Sequence, residues 1–360
     1  MQRKLVRILF VLGIVLAIAI AGIKPVHSLP TLNLHLLIAA NPLERVKVKR
    51  SSWSSFQPAR IGLMLRGNDR LLLPQNASAT ILCHNLQRRN PARGRDSSVS
   101  EVCGTISTTY DTEDILDPRA RNDPKTPYLL YPRDTAIADS EPILRWNPVE
   151  GVQSYTVKVS GPGVKWEVES DRAEITYTGE PFQPGLRYWT VVTTDSGVSS
   201  TVEPRVFAGF TPLEETKVES LEAEAAKMQR QQLDTEAIAL ELAHLYWGSG
   251  LKGDAIRVLE EAIAEGSELV AVYRLLGRIY REVSLNRLAI AHWETGVELA
   301  EAVEDWDSLG DMQRGLAIAH RSLEQEDEAR RWLEGARNAY LALGDEESLR
   351  QLEELAEKYF

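Results

Sequence analysis

An internal repeat with a period of 34 residues constrains this chain more than any other feature. Seven positions recur with residues of the same size class: Leu242, Ala243, Tyr246, Gly250, Ala255, Leu259 and Ala262 become Leu276, Gly277, Tyr280, Ser284, Ala289, Trp293 and Gly296. Two antiparallel helices need small residues where their backbones cross and large apolar residues to fill the groove beside them. The repeat therefore predicts stacked helical hairpins.

A third unit fits the same pattern if it begins six residues late. It consists of Leu316, Ala317, His320, Ala329, Leu333 and Ala336, and the extra residues at about 301–308 are expected to extend the hairpin. Residues 213–232 contain no Gly or Pro and predict one long helix ahead of the repeats. Residues 346–359 carry Leu349, Leu352 and Leu355 on one side and are expected to cap the stack. An unspecific helical bundle is the alternative.

The pattern resembles tetratricopeptide repeats, which place small, aromatic and bulky residues at fixed positions. On this resemblance, residues 211–360 form a repeat region with units 235–268, 269–302 and 309–342 and a capping helix. In that family the first helix of each hairpin lines a concave groove. The resemblance implies a partner-binding groove lined by Leu240, His244, Trp247, Arg274, Arg278, Arg281, Arg314 and Arg321.

Five of these groove residues are arginines in a strongly acidic region. Residues 213–360 contain 16 Lys and Arg against 32 Asp and Glu. Guanidinium groups bind carboxylates through two parallel hydrogen bonds. We hypothesise that the groove holds an acidic segment or a C-terminal carboxylate of a protein partner. Alternatively, the arginines pair with glutamates of the stack itself.

Residues 127–210 predict a β-sandwich. The segments "PILRWNPV", "SYTVKVS" and "PGLRYWTVVT" contain short alternating strands. They resemble a fibronectin type III or related immunoglobulin-like domain, in which a core Trp, here Trp146, packs beneath a Tyr of the next strand, here Tyr155. The resemblance also implies a tyrosine corner at Tyr188, preceded by Leu186. Such domains are mostly spacers or binding surfaces.

Residues 41–110 predict a smaller β domain. Val46 and Val48 alternate with lysines, and turn clusters separate several short apolar runs, as in a small sandwich or barrel. The run "GLMLRGNDRLLLPQNASATIL" resembles FecR-like β domains, although Asn68 interrupts the Gly-Asp turn of that pattern. The polar, acidic residues 111–126 that follow are expected to be a solvated linker, since their spacing fits no calcium loop.

The first 28 residues predict a targeting segment. Arg3, Lys4 and Arg7 precede an apolar run, Ile8 to Ile23, that is short for a membrane span and typical of a signal-peptide core. Cleavage sites are offered at residues 26–28 and 38–40, and an uncleaved N-terminal anchor is the alternative. The remainder is expected to be exported, to the periplasm or another extracytoplasmic space.

The two cysteines agree with export. Cys83 and Cys103 lie in the same β region, and in an oxidising compartment such a pair is expected to form a disulfide. Two buried free thiols are the alternative. We predict no metal site, because His84 is the only further ligand nearby in the sequence.

The charge distribution is bipolar. The net charge is −11, yet residues 41–104 contain 11 basic and 4 acidic residues. The acidic C-terminal half argues against nucleic-acid binding. The basic front is compatible with anionic polymers or lipid headgroups, and also with a plain solvated face.

No catalytic motif is present, so the sequence predicts a protein that is not an enzyme and needs no cofactor. It has no phosphate loop, no His-Glu-x-x-His, no nucleophile elbow and no Cys-x-x-Cys. The expected architecture is two small all-β domains followed by an all-α stack. The expected function is an exported scaffold that binds a protein partner. The alternatives are an envelope protein whose β domains bind polysaccharide, or an accessory component of a bacterial signalling or secretion system.

Overall fold

The computed structural model describes residues 35–41, 43–85, 87–104, 121–230 and 233–360. β-structure occupies residues 35–212 and helices occupy 215–359, which confirms the predicted order of β domains and an all-α stack. The predicted signal segment, 1–28, and most of the predicted linker lie outside the described residues. None of the helices in the described ranges is long and apolar enough to span a membrane.

The first β domain consists of two four-stranded sheets. Their strand orders are β4-β1-β6-β7 and β3-β2-β5-β8. The bounds are β1 His35–Asn41, β2 Lys47–Lys49, β3 Gln57–Pro58, β4 Met64–Leu65, β5 Arg70–Leu73, β6 Ser78–Leu82, β7 Arg88–Arg89 and β8 Arg95–Ser98, followed by the short helix α1 Val99–Cys103. Alternate residues such as Val46, Val48, Leu71 and Leu73 point between the sheets and are buried.

Strand β1 shows that this domain starts earlier than predicted. The domain was predicted from residue 41, and residues 38–40 were offered as a cleavage site. Instead, β1 is an inner strand that pairs with both β4 and β6. Cleavage after Ala40 would remove most of that central strand and leave two edges unpaired, so the site at 38–40 is incompatible with this fold.

The second β domain is a two-sheet sandwich. Its sheets have the orders β10-β16-β15-β12-β13 and β14-β11-β9. The bounds are β9 Leu129–Tyr131, β10 Thr135–Ile137, β11 Ile143–Trp146, β12 Tyr155–Gly161, β13 Val164–Ser170, β14 Glu174–Thr176, β15 Tyr188–Thr194 and β16 Gly209–Pro212. The predicted aromatic positions are core positions: Trp146 meets Tyr155 edge-on at 5.4 Å, and Tyr188 Oη accepts from the Gln183 N–H at 2.8 Å.

The helical part is a series of antiparallel hairpins. The bounds are α2 Glu215–Gln229, α3 Thr235–Gly248, α4 Lys252–Ala264, α5 Val270–Glu282, α6 Asn286–Ala302, α7 Trp306–Ser322, α8 Glu326–Leu343 and α9 Glu346–Tyr359. Helices α3, α5 and α7 are the first helices of successive hairpins, and α4, α6 and α8 are the second. The Trp293 indole packs on Gly277 and Gly315, where a Cβ would overlap it. Small residues therefore admit this indole between two hairpins.

Each first helix ends in the same turn. A backbone N–H donates to a carbonyl five residues earlier in the pairs Leu251–Tyr246 at 2.9 Å, Leu285–Tyr280 at 2.8 Å and Gln325–His320 at 2.9 Å. The residue before each donor has a positive φ: Gly250 at 83°, Ser284 at 55° and Glu324 at 63°. His320 thus occupies the position that Tyr246 and Tyr280 occupy in the first two units, as the displaced third unit predicts.

The extra residues of the third unit are distributed over several helices. Helices α4 and α5 have 13 residues each, whereas α6 and α7 have 17 and α8 has 18. Asp305 and Asp345 cap α7 and α9 by accepting from the backbone N–H of Ser308 and Ser348. Helix α9 thus begins as a further first helix, and its charged outer face ends the stack.

Candidate functional site

The face of the stack formed by the first helices α3 and α5 is covered by the first β domain. Leu36, Ile38 and Leu82 of sheet β4-β1-β6-β7 belong to the same apolar core as Leu240 and Leu275 of the first helices. These five side chains are all buried. The groove that the repeats were expected to offer to a partner is thus largely filled by the chain itself.

Gly62 is the closest point of this contact. Its φ is 80°, and a Cβ at this position would overlap Cβ of Ala271 and lie 3.1 Å from Cδ1 of Leu240. Arg274 Nη2 donates to the Gly62 carbonyl at 3.0 Å. A glycine is therefore required both by the left-handed backbone and by the approach to α5.

A buried network of charges joins the β domain to α5 and α7. Arg50 donates two hydrogen bonds to the carboxylate of Asp307, one of them at 3.2 Å, and lies 3.5 Å from Asp69. Arg274 approaches Asp307 at 3.5 Å and Asp311 at 3.8 Å. Such a network is favourable when each charge has partners, and removal of one member leaves another charge buried without compensation.

Burial and the neighbouring guanidinium groups shift the pKa values of the two aspartates in opposite directions. Burial raises the pKa of Asp307, and Asp311 raises it further, against the effect of Arg50 and Arg274. For Asp311, burial also favours the neutral acid, but the guanidinium groups of Arg274 and Arg314 outweigh it and lower the pKa. Asp311 is therefore the more firmly ionised carboxylate.

The β domain is also attached along one edge of the stack. Arg60 donates to the Val303 carbonyl and lies 3.9 Å from Asp305. Trp53 Nε1 donates to Asp345 at 3.1 Å, and Arg88 forms two hydrogen bonds with the buried carboxylate of Glu241. The basic front of the chain thus binds an acidic surface that is its own.

The opposite edge carries the segment 121–136. Thr135 and Ala136 bond to the Gly250 carbonyl, and Arg133 donates to the carbonyls of Val283 and Ser284. Asn122 also donates to the Ser284 carbonyl, at 2.9 Å, and is buried. The end of the predicted linker is therefore anchored to the turns between helices at the buried Asn122, while residues 121 and 123–125 are exposed.

A small recess with a cavity volume of about 70 Å³ remains between the β domain and the helices. Met64 of β4 forms one wall, and Trp293 and Ile318 contribute apolar surface. The polar lining consists of Arg274, Arg278, Arg281, Arg314 and Asp311. The recess can accept a small anionic group, since several guanidinium groups face one carboxylate.

The three predicted groove residues of the first hairpin are covered. Leu240, His244 and Trp247 are all buried. His244 Nδ1 lies 2.7 Å from the Leu240 carbonyl, and burial lowers the His244 pKa to about 4. Trp247 Nε1 donates to Glu282 at 2.8 Å. Leu240 lies against Gly62 of the β domain, and all three side chains are closed to a partner in this arrangement.

The five predicted arginines do not form one cluster. Arg274, Arg278, Arg281 and Arg314 line the recess. Arg321 instead donates to the Tyr359 carbonyl at 2.7 Å and lies 3.8 Å from Glu326, at the end of the stack. Arg274 pairs with aspartates and Arg278 with Glu282 at 3.6 Å. At least these two arginines thus pair with carboxylates of the stack itself, which is the alternative that the sequence left open.

Arg50, Asp307 and Gly62 were missed by the sequence reasoning. Arg50 and Asp307 are separated by 257 residues, and no local pattern links them. The only signal was the charge asymmetry between the two halves of the chain, which a mutual contact would satisfy.

The predicted disulfide is present between Cys83 and Cys103, and it is consistent with an extracytoplasmic location. His35, 49 residues before His84, lies beside it: one ligand atom from His35 and the two sulfurs are within 4.8 Å of one another. The histidine rings of His35 and His84 meet edge-on at 5.5 Å. Burial lowers the pKa of His35 to about 4.

Comparison with known proteins gives no assignment. No family model matches the chain, and no curated protein has a significantly similar sequence. The geometry of the groove, the recess and the disulfide region therefore carries the functional argument.

Proposed function

We propose that this protein is an exported, non-enzymatic scaffold of the tetratricopeptide type that binds an acidic segment of a protein partner. The observation that carries the proposal is the arginine-lined recess on the concave face, beside Met64. A side-chain carboxylate or a C-terminal carboxylate has the charge and the planar shape that guanidinium groups bind. The fibronectin type III-like and FecR-like domains then serve as support for this face.

The recess restricts what part of a partner can enter. About 70 Å³ admits a group the size of one carboxylate, at the end of a side chain or of a chain, and not a helix laid along the groove. Arg278 is the most informative contact, because it lines the recess and its guanidinium lies over the Trp247 ring at 4.9 Å. The stacking fixes its orientation toward an incoming carboxylate.

A binding experiment tests this proposal. Fluorescent acidic peptides with free and amidated C termini, together with neutral peptides, are titrated with the full chain. We expect acidic peptides to bind preferentially. Arg278→Glu should weaken their affinity by at least about tenfold, the effect of losing about 1.4 kcal/mol of binding free energy.

Two matched variants serve as controls. Arg257→Glu reverses an exposed charge on α4 that pairs with Glu261, and Arg321→Glu reverses a predicted groove residue outside the recess. Both are expected to bind acidic peptides like the wild type. Equal binding of acidic and neutral peptides, or an unchanged affinity in Arg278→Glu, would contradict the proposal.

A further inference from the structure

The region beside the disulfide contains more metal-binding atoms than the sequence suggests. His35 comes from β1, Cys83 follows β6, and Cys103 ends α1, so three separate elements converge there. One ligand atom from each lies within 4.8 Å of the others. Cysteine sulfur and histidine nitrogen are the donors that zinc prefers in structural sites.

Two buried nitrogens at this position have no hydrogen-bond partner within the described residues. They are Nε2 of His35 and Nδ1 of His84. His35 itself is fully buried. Buried polar atoms are usually paired, so two neighbouring exceptions require an explanation. A metal ion held by the sulfurs and His35 would satisfy the first nitrogen. His84 lies outside the group of atoms within 4.8 Å of one another, so its ring would have to turn toward the ion to become a fourth ligand.

The separation of the two histidine rings is close to that of two imidazoles bound to one ion. With Zn–N distances of about 2.0–2.1 Å, two imidazoles on one zinc have ring centroids roughly 5 Å apart. The observed separation for His35 and His84 is 5.5 Å. The backbone N–H of His84 donates to His35 Nδ1 at 3.3 Å. This long hydrogen bond would be lost on ligation through Nε2, because Nδ1 would then carry the proton.

We propose that the reduced form of this chain binds Zn²⁺ through Cys83, Cys103, His35 and His84. In the disulfide form the sulfurs are bonded to each other and cannot act as thiolate ligands. A dithiol reductant opens the bond by exchange: it becomes a disulfide, and the chain gains two thiols. Zinc then displaces one proton from each thiol. Metal binding and disulfide formation thus compete for the same sulfurs.

The experiment uses the full chain in its oxidised form and after reduction with a phosphine, which is removed before metal is added. Zn²⁺ is measured by equilibrium dialysis, and Co²⁺ serves as a spectroscopic substitute that reports tetrahedral geometry and thiolate ligation. We expect about one Zn²⁺ per reduced chain, thiolate-to-cobalt charge-transfer absorption, and no binding by the oxidised chain.

Histidine variants separate ligation from folding. His35→Gln and His84→Gln keep both sulfurs and are each expected to weaken zinc binding at least about tenfold, while His292→Gln on α6 is expected to leave it unchanged. Circular dichroism checks that every variant is folded. The proposal is overturned if the reduced wild type takes up no zinc, or if folded His35→Gln and His84→Gln bind it as tightly as the wild type.

Discussion

At the scale of single residues, Gly62 shows how closely the two halves of the molecule approach. Its backbone is left-handed, and its Cα lies against α5 with no room for a side chain. The adjacent carbonyl accepts from Arg274. A side chain at this position would strain the backbone and also separate the β domain from the helix, two effects that can be measured apart.

Gly62→Ala is expected to destabilise the protein by about 3 kcal/mol or more, because the added methyl overlaps Ala271. Gly197→Ala is the control: its φ is 86°, but nothing lies within 4 Å of its Cβ position. It should cost only about 1–2 kcal/mol, the effect of backbone strain. Urea unfolding of both variants measures the difference, and equal losses would refute a steric contact at Gly62.

His244 makes stability depend on pH. Its pKa is lowered by burial to about 4, so the unfolded chain binds the proton more tightly than the folded one. Stability from this residue is complete above about pH 6.5 and is lost as pH falls toward about 4. At about pH 5 the loss should be about 2 kcal/mol. Urea unfolding at several pH values should show a shallower acid slope for His244→Gln, and parallel slopes would exclude this role.

At the scale of elements, the turns of the stack share one backbone conformation although the residues in them differ. The turns between hairpins contain Gly266, Glu304 and Gly344, all with positive φ. Glycine adopts this conformation without strain, whereas glutamate does not. Opposite substitutions at these equivalent positions can therefore be compared within one protein.

Glu304→Gly is expected to stabilise the protein by about 0.5–1 kcal/mol, since relief of strain outweighs the added freedom of the unfolded chain. Gly266→Ala should destabilise it by about 1 kcal/mol, because its Cβ meets open space and only the backbone opposes it. Thermal unfolding should move in opposite directions for the two variants. A lower melting temperature for Glu304→Gly would show that the turns are not equivalent.

At the scale of the whole molecule, the bipolar charge is partly compensated by contacts within the chain. The basic first β domain lies on the acidic helical stack, and Arg50, Arg60 and Arg88 each approach a carboxylate of the stack. The segment 121–136 binds the opposite edge through backbone carbonyls. The stack is thus held from two sides by parts of the chain that precede it.

Arg50→Met tests this arrangement. It leaves Asp307 and Asp69 buried beside each other with less compensation, and we expect a loss of about 3–5 kcal/mol. Arg70→Met removes a comparable pair, Arg70 with Asp96, whose side chains are 51% and 33% exposed; its loss should be below about 1 kcal/mol. Urea or thermal unfolding measures the loss of unfolding free energy in each variant. Similar losses in the two variants would mean that the buried network contributes little to stability.

Local patterns along the chain predict most of the elements, with strand β1, His35–Asn41, as an exception. The period of 34 residues gave the hairpins, because packing of two helices restricts side-chain size where they cross. Alternation along the strands gave the β domains, and the isolated cysteine pair gave the disulfide. The alignment of His320 with Tyr246 and Tyr280 also followed from the residues, since the turn after each first helix depends on local backbone geometry.

The contact between the first helices and the β domain has no local signal in the sequence. Arg50 and Asp307 carry no local mark of their contact, because a buried ion pair depends on two surfaces brought together across hundreds of residues. For the same reason the sequence did not place His35 beside Cys83 and Cys103. Local propensity and period determine which segments fold, whereas burial and charge pairing between distant segments determine which groups meet.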